Sequence, residues 1–152
     1  MSIIQFSEEK PVALRGKDVS NAIIELLAIT RWGDLDYLII DLPPGMGDEA
    51  LDTIRLMKNK EFLIVTTPSK LSIGVVKKLV SFLRMVNAKI IGIVENMVMD
   101  ETNIVQEFSK ENKINYLGKI YYDSELESCL GSPRCLMNTK FMHNLLEILE
   151  NI

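Results

Sequence analysis

Short runs of consecutive apolar residues alternate along this chain with longer stretches in which apolar side chains recur every three or four positions. Tyr37 to Ile40, Phe62 to Thr67 and Ile90 to Val94 are the runs. They are too short for helices and show no polar alternation, the pattern of strands buried on both faces of a parallel sheet. The first stops at Asp41 before Pro43 and Pro44, the second at Pro68, and the third, spanning Lys89 to Glu95, at Asn96. Between them lie helical patterns. Asp18 or Ser20 caps a helix to about Ile29 with Val19, Ile23, Leu26 and Leu27 on one face, closed by Trp32 and Gly33. Asp48 stands at the N-cap position of a helix through Leu51, Ile54 and Met57. Ser69 or Ser72 opens a helix to about Val86, with Val75, Val76, Leu79, Phe82 and Leu83 inward. Downstream, Thr102 to Asn112 reads as an amphipathic helix and Ile114 to Ile120 as a short strand. Asp123 or Ser124 caps a short helix broken by Gly131-Ser132-Pro133, and a last helix runs from about Asn138 to Glu150. Upstream, Ser2 to Phe6 reads as a short strand and Glu8 to Arg15 as an irregular crossing broken by Pro11. Strands alternating with helices of this length predict an α/β fold, a mostly parallel sheet with flanking helices and right-handed crossovers.

Composition narrows the class. The 152 residues suffice for one domain, and no linker, repeat or low-complexity stretch divides them. The expectation is therefore a single domain over residues 1–152. A net charge of −4 gives no basic footprint for nucleic acid. No apolar run approaches a membrane span, and the first ten residues lack the basic and apolar regions of a signal peptide. These features predict a cytoplasmic protein without nucleic-acid or membrane partners. In that compartment Cys129 and Cys135 are expected to be ordinary part-buried thiols.

The ends of the three apolar runs carry the candidate chemistry. In a parallel sheet all three carboxyl ends lie on one edge, where such sheets place their ligands. Asp41, Thr66 with Thr67, and Asn96 with Met97 would sit there. A carboxylate after a strand suits Mg²⁺, held directly or through water beside a nucleotide phosphate. Gly45 and Gly47 let the following turn approach a ligand closely. For each residue a plainer role competes: Asp41 as a strand terminator, the threonines as β-branched strand residues, Asn96 as a left-handed turn residue, Asp48 as a helix cap. His143, the one histidine, is expected to be structural. A phosphate cradle is missing from the sequence. The two Gly-Lys pairs, Gly16-Lys17 and Gly118-Lys119, have Pro11 and Lys113 where a P-loop needs its first glycine, and are followed by Asp18 and Ile120 instead of Ser or Thr.

Taken together, the runs Pro11 to Gly16, Trp32 to Asp48 (with Asp41-Leu42-Pro43-Pro44-Gly45-Met46-Gly47-Asp48 at its end), Val65 to Pro68 and Gly92 to Met97 resemble the C-terminal half of the Mrp/Nbp35 family. Its members are ATP-binding carriers of iron–sulfur clusters, related to the MinD and ParA ATPases. The resemblance implies an incomplete P-loop NTPase domain of the MinD-like class that lacks the phosphate-loop strand. It implies that Asp41 is the Walker B aspartate acting on Mg²⁺ through its water shell. On the turn that follows, Pro43 and Gly45 contact the nucleotide, with Gly45 the switch residue sensing the γ-phosphate. Asp48 is the further catalytic candidate. Asn96, with Met97, reads adenine, since an amide both donates to and accepts from a base edge. Ile120 to Asp123 falls at the second wall of the base, with Tyr121 in place of the usual proline.

Two departures shape the expectation. The family's phosphate loop and its switch I aspartate have no counterpart here, so ATP with Mg²⁺ is expected only with a partner that supplies the loop, and ATP hydrolysis is not expected of this chain alone. Nor is there a Cys-x-x-Cys pair after Asn96-Met97, where the sequence reads Val98-Met99-Asp100-Glu101-Thr102-Asn103. Thiolates hold such clusters, so this chain alone is not expected to hold the family's bridging iron–sulfur cluster. The expected partners are a second copy or a phosphate-loop-bearing chain, and an iron–sulfur client protein. The competing reading is a non-catalytic scaffold or regulatory module that keeps the family fold.

Overall fold

The computed structural model describes residues 16–42 and 47–152. The chain divides into two compact units, Met1–Lys58 and Asn59–Ile152. The expected elements at Ser2 to Phe6 and Glu8 to Arg15 lie outside the described residues, as do Pro43 and Gly45.

In the first unit, α1 (Gly16–Ile29) packs against α2 (Asp48–Leu56). Helix α1 starts ahead of either predicted cap and keeps Asp18 in its first turn, where a negative charge complements the helix dipole. Its last turn is closed by side chains. The Thr30 hydroxyl donates to the Leu26 carbonyl at 2.5 Å, and the Trp32 indole N–H donates to Leu27 at 3.0 Å. These are carbonyls a helix end would otherwise leave unpaired. Helix α2 begins one residue earlier than expected. The Leu51 N–H donates to the Gly47 carbonyl at 3.4 Å, so Gly47 holds the cap position and Asp48 is the first helical residue.

The strand expected at Tyr37 to Ile40 is not formed. The segment is irregular, and Tyr37 and Ile39 are 86% and 91% exposed. A strand needs a neighbour for its backbone N–H and C=O groups, and the described residues give this segment none.

In the second unit the predicted alternation is realised as β1 (Glu61–Thr66), α3 (Lys70–Met85), β2 (Lys89–Val98), α4 (Ile104–Glu111) and β3 (Tyr116–Tyr121). The sheet is parallel, in the order β1-β2-β3. Both crossovers step the same way, so their right-handedness puts α3 and α4 on one face. The buried residues of those helices are Val76, Val80 and Leu83 on α3, and Val105, Phe108 and Ser109 on α4. Ser69 is the cap of α3, its hydroxyl accepting from the Ser72 N–H at 3.1 Å. Both helices stop the same way, on a left-handed non-glycine residue. After α3, Asn87 (φ 52°) donates to Arg84 and Ala88 to Leu83; after α4, Lys113 (φ 49°) donates to Lys110 and Ile114 to Ser109. This pair of bonds closes the last carbonyls of a helix and turns the chain into the next strand.

The other face is covered by α7 (Lys140–Leu149), whose Ile148 packs with Val94, Leu117 and Ile120, flanked by Phe141 and Leu145. That cover ends at β2. Val65 sits beside Val94, and Leu63 beside Gly92, and laterally paired residues of a parallel sheet point the same way. Leu63 and Val65 therefore share the α7 face, yet they are 44% and 56% exposed. Burial on both faces was expected of β1; only the side carrying Ile64 and Thr66 is buried, because α7 does not reach an edge strand two positions away.

The β2–β3 ladder is irregular twice. Ile93 lies opposite Tyr116, Val94 opposite Gly118, Glu95 opposite Lys119 and Val98 opposite Tyr121. The first shift falls at Gly118, whose φ of +147° suits glycine and where a Cβ would lie 2.9 Å from Ile148 Cγ1. The second falls at Asn96 and Met97, so β2 runs on to Val98 instead of ending at Glu95.

Between β3 and α7 lie two single-turn helices, α5 (Leu126–Cys129) and α6 (Pro133–Leu136). The free thiols expected there are instead a disulfide, Cys129–Cys135, with Cα atoms 5.1 Å apart. The turn at Leu130-Gly131-Ser132, with Gly131 at φ 85°, folds α6 back on α5 and brings the two cysteines within bonding range. Compartment statistics could not report that local geometry.

Candidate functional site

The carboxyl ends of β2 and β3 are built by the second irregularity in their ladder. Bulges re-aim side chains at sheet edges and next to binding sites. Here the extra residue is Met97, in the left-handed region at φ 60°. Its N–H donates to Asn96 Oδ1 at 2.9 Å. The left-handed residue is thus Met97, and Asn96 is the side chain that stabilises it. With its oxygen engaged by Met97, the Asn96 amide keeps its NH₂ group to donate to a ligand. Asn96 is half-buried and Met97 exposed.

Glu95 precedes this bulge and is only 1% exposed. Its Oε2 accepts from the Tyr116 hydroxyl at 2.9 Å, while Oε1 has no partner. Burial, followed by the hydrogen bond to Glu95, pushes the Tyr116 phenol up to about 12. The pair ties β2 to β3 immediately below Asn96.

Beyond the bulge, the two strand ends and the first turns of α7 enclose an open recess of about 630 Å³. Val98, Met99, Tyr121 and Tyr122 form its strand side, and Lys140, His143 and Asn144 its helix side. The Tyr122 N–H donates to the Val98 carbonyl at 2.9 Å and the Tyr121 N–H to Asn144 Oδ1 at 3.3 Å, so helix and strands are joined across it. The Tyr121 ring is held from outside. Its hydroxyl donates to Glu101 Oε1 at 2.7 Å, Lys119 pairs with the other Glu101 oxygen, and the Lys119 ammonium lies 5.3 Å from the ring centroid. The hydrogen bonds from Lys119 and then Tyr121 lower the Glu101 carboxyl, and Glu101 raises Lys119 in return. Asp123 pins the ends of the β3–α7 connection together, accepting from the Glu125 N–H at 3.0 Å and from the Phe141 N–H at 3.2 Å. Those two bonds hold its carboxyl below the usual range.

Asn96 and Met97 come together at the β2 bulge. Thr66 is buried, and its hydroxyl reaches the Thr67 carbonyl at 3.3 Å; Thr67 bonds Ser72 at 2.6 Å. The threonines therefore fasten β1 to the start of α3. Asp41 is exposed and lies in the irregular segment of the first unit, where Asp48 opens α2. Among the described residues no group of three His, Cys, Asp or Glu side chains could hold a metal ion. No helix among them is long and apolar enough to cross a membrane. Sequence reasoning missed Lys140 and Asn144 and took His143 for a structural residue, whereas Tyr121 and Tyr122 fall within the Ile120 to Asp123 wall that the resemblance implies. The signal was present in the spacing: Lys140, His143 and Asn144 stand at i, i+3 and i+4, one face of a helix.

A family model described as NUBPL iron-transfer P-loop NTPase, within the ParA group, matches residues 1–152. The chain belongs to this family. Three relatives, each named iron-sulfur cluster carrier protein, show how it is spread. The chain is 36% identical over 160 positions to that of Methanocaldococcus jannaschii, covering 95% of this chain and 55% of the relative. Identity is 33% over 169 positions to that of Methanococcus maripaludis, covering all of this chain and 58% of the relative. It reaches 50% over 91 positions for Saccharolobus solfataricus, covering 59% of this chain and 31% of the relative. This NUBPL-family chain spans at most slightly more than half the length of these curated relatives. Its parallel sheet flanked by helices is consistent with a fragment of a P-loop NTPase domain.

Proposed function

We propose that this chain supplies the Mg²⁺ side and the base side of an ATP site in an iron–sulfur cluster carrier, with the phosphate loop contributed from outside these 152 residues. The observation that carries the reading is the β2 bulge. It sets Asn96 at the carboxyl edge of a parallel sheet, where α/β folds bind ligands, two positions before Val98, which lines the recess with Tyr121 and Tyr122. A donating NH₂ group and flat apolar walls suit a purine. Asp41, a single exposed carboxylate, suits an ion that keeps most of its water shell. Asp41 would hold Mg²⁺ through water, Pro43 and Gly45 would form the turn against the phosphates, Asp48 would stand next to that turn, and Asn96 with Met97 would fix the base. Bound ATP with Mg²⁺ supplies a phosphoryl group whose release can be coupled to a change of shape.

The edge of the sheet supports a partner. Among the described residues nothing pairs with the outer edge of β1, and its bare Leu63 and Val65 leave room for the sheet to continue. A second copy, or a chain bearing the phosphate loop, is the partner this reading requires, in the cytoplasm. The iron–sulfur cluster is cargo. This chain has no Cys-x-x-Cys pair after Asn96-Met97, so the cluster's thiolate ligands come from the partner or the client.

Calorimetric titration with Mg-ATP tests the reading. The 152-residue chain alone should show no micromolar binding. Mixed with the amino-terminal part of the Methanocaldococcus relative, it should bind, and Asp41→Ala or Asn96→Ala should abolish that gain. Micromolar binding by the chain alone would overturn the requirement for a partner.

A further inference from the structure

We propose that Cys129 and Cys135 are a reversible dithiol–disulfide pair that sets the order of the connection between β3 and α7 by exchange with small disulfides. The connection is unusual in how little else holds it. Between Ser124 and Asn138, Cys129 is the only residue that is buried, and Leu130 and Met137 are mostly exposed. Helices α5 and α6 have four residues each and pack on one another. Helices this short have no stability of their own in water. Segments with few buried apolar contacts open at low free energy. Apart from backbone bonds within single turns and two local side-chain bonds, Ser128 to the Glu125 carbonyl and Asn138 to the Arg134 carbonyl, the connection is held by the cap of α6, where the Ser132 hydroxyl accepts from the Cys135 N–H at 3.4 Å, and by the disulfide.

The segment is anchored only at its ends. Asp123 accepts from Glu125 and Phe141, and the buried Thr139 caps α7, accepting from the Met142 N–H at 3.2 Å and donating to the Leu136 carbonyl at 2.6 Å. Those anchors adjoin both walls of the recess, Tyr121 and Tyr122 on one side and Lys140, His143 and Asn144 on the other. The bond therefore closes the turn in the middle of a connection whose two ends adjoin the recess.

The exchange is balanced without a metal or cofactor. One cysteine thiolate attacks a small disulfide of the glutathione class and expels one small thiol. The second cysteine thiolate attacks the mixed disulfide and expels the other, so two electrons pass from the protein to the small molecule. Excess small thiol reverses both steps. Gly131, with no atom within 4 Å of where a Cβ would sit, leaves the turn between the cysteines open to solvent.

The test uses the full chain held in oxidised or in reduced glutathione. Alkylation followed by mass measurement should find no free thiol in the first buffer and two in the second, with monomer mass in both. Amide hydrogen exchange should be at least tenfold faster across residues 125–137 in the reduced chain and unchanged in β2 and α4. Cys135→Ser, which leaves the buried Cys129 in place, should show the fast rate in both buffers. Two alkylatable thiols under oxidation, a cross-linked dimer, or equal exchange rates in the two redox states would each overturn the proposal. None of these readouts involves nucleotide, so the outcome is separable from that of the ATP reading.

Discussion

Two glycines of the second unit should respond to the same substitution with opposite signs. A Cβ at Gly92 would lie 2.5 and 2.6 Å from the Leu117 side chain and 2.8 Å from the Asn115 carbonyl oxygen. Leu117 belongs to the core under α7, and the Asn115 carbonyl accepts the Ile93 N–H at 2.9 Å. The side chain cannot yield without leaving the core, and the carbonyl cannot yield without breaking a rung between β2 and β3. Overpacking of this kind costs about 1–3 kcal/mol, against which alanine recovers about 0.4–1 kcal/mol of unfolded-chain entropy. The net loss for Gly92→Ala is then about 1–2 kcal/mol, or a fall in Tm on the order of 10 °C for a unit of this size. Gly74 lies inside α3, exposed, with nothing within 4 Å of a Cβ. There Gly74→Ala gains helix propensity and should stabilise by about 0.5–1 kcal/mol. Thermal and urea unfolding followed by circular dichroism measures both. If Gly92→Ala raises Tm, or if both variants move it the same way by similar amounts, the close approach of β2 and β3 at Gly92 is refuted.

Removal of the Tyr116 hydroxyl in Tyr116→Phe leaves the buried Glu95 without its one hydrogen bond. Loss of such a partner costs about 1–3 kcal/mol, read as a lower urea midpoint at pH 7. Because the folded phenol titrates at about 12 against 10 when free, folding holds the proton more tightly. That stability is complete below pH 10 and is lost as pH rises from 10 toward 12, a decline that urea titrations should find in the wild type and not in Tyr116→Phe. Asp123 has the opposite sign. Its folded carboxyl is lowered by the Glu125 and Phe141 N–H groups, so its contribution is present above the unfolded value near 3.8 and is lost as pH falls below it. Amide exchange at the start of α7 should accelerate in that acid window, and Asp123→Ala should show the fast rate already at neutral pH.

The elements of the second unit were legible because each satisfies its local and its global demands together. β1, α3, α4 and α7 appear within a few residues of where the apolar period put them, and the Ser69 cap was one of two candidates. Where the pattern misled, a neighbour was decisive. Tyr37 to Ile40 has the composition of a buried strand, but composition cannot supply the adjacent backbone a ladder requires. The extension of β2 past Glu95 depends on a left-handed methionine, a conformation for which methionine gives no cue; the cue lay in the preceding asparagine, whose side chain can accept from the next N–H. The disulfide depends on a three-residue turn folding two single-turn helices together, geometry that the six-residue separation permits without dictating. The helix side of the recess was hidden for a different reason. Lys140, His143 and Asn144 are ordinary surface residues of an amphipathic helix until β2 and β3 are placed beside them.

The two irregularities of the β2–β3 ladder are related as a phase error and its suppressor. The numerical offset between partners is 23 at Ile93–Tyr116, becomes 24 at Val94–Gly118 and Glu95–Lys119, and returns to 23 at Val98–Tyr121. One residue too many in β3 is answered by one too many in β2. Since a one-residue slip exchanges the two faces of a strand, the compensation confines the exchange to the interval that carries Glu95 and leads into Asn96, and restores the sheet's phase before Val98 and Tyr121 meet. Asn96 can thus be aimed out of a regular ladder while the recess beyond it stays in frame. A lineage that lost the residue at either position alone would carry the slip through to Tyr122, whereas loss at both would leave a straight ladder and an intact recess with Asn96 turned elsewhere.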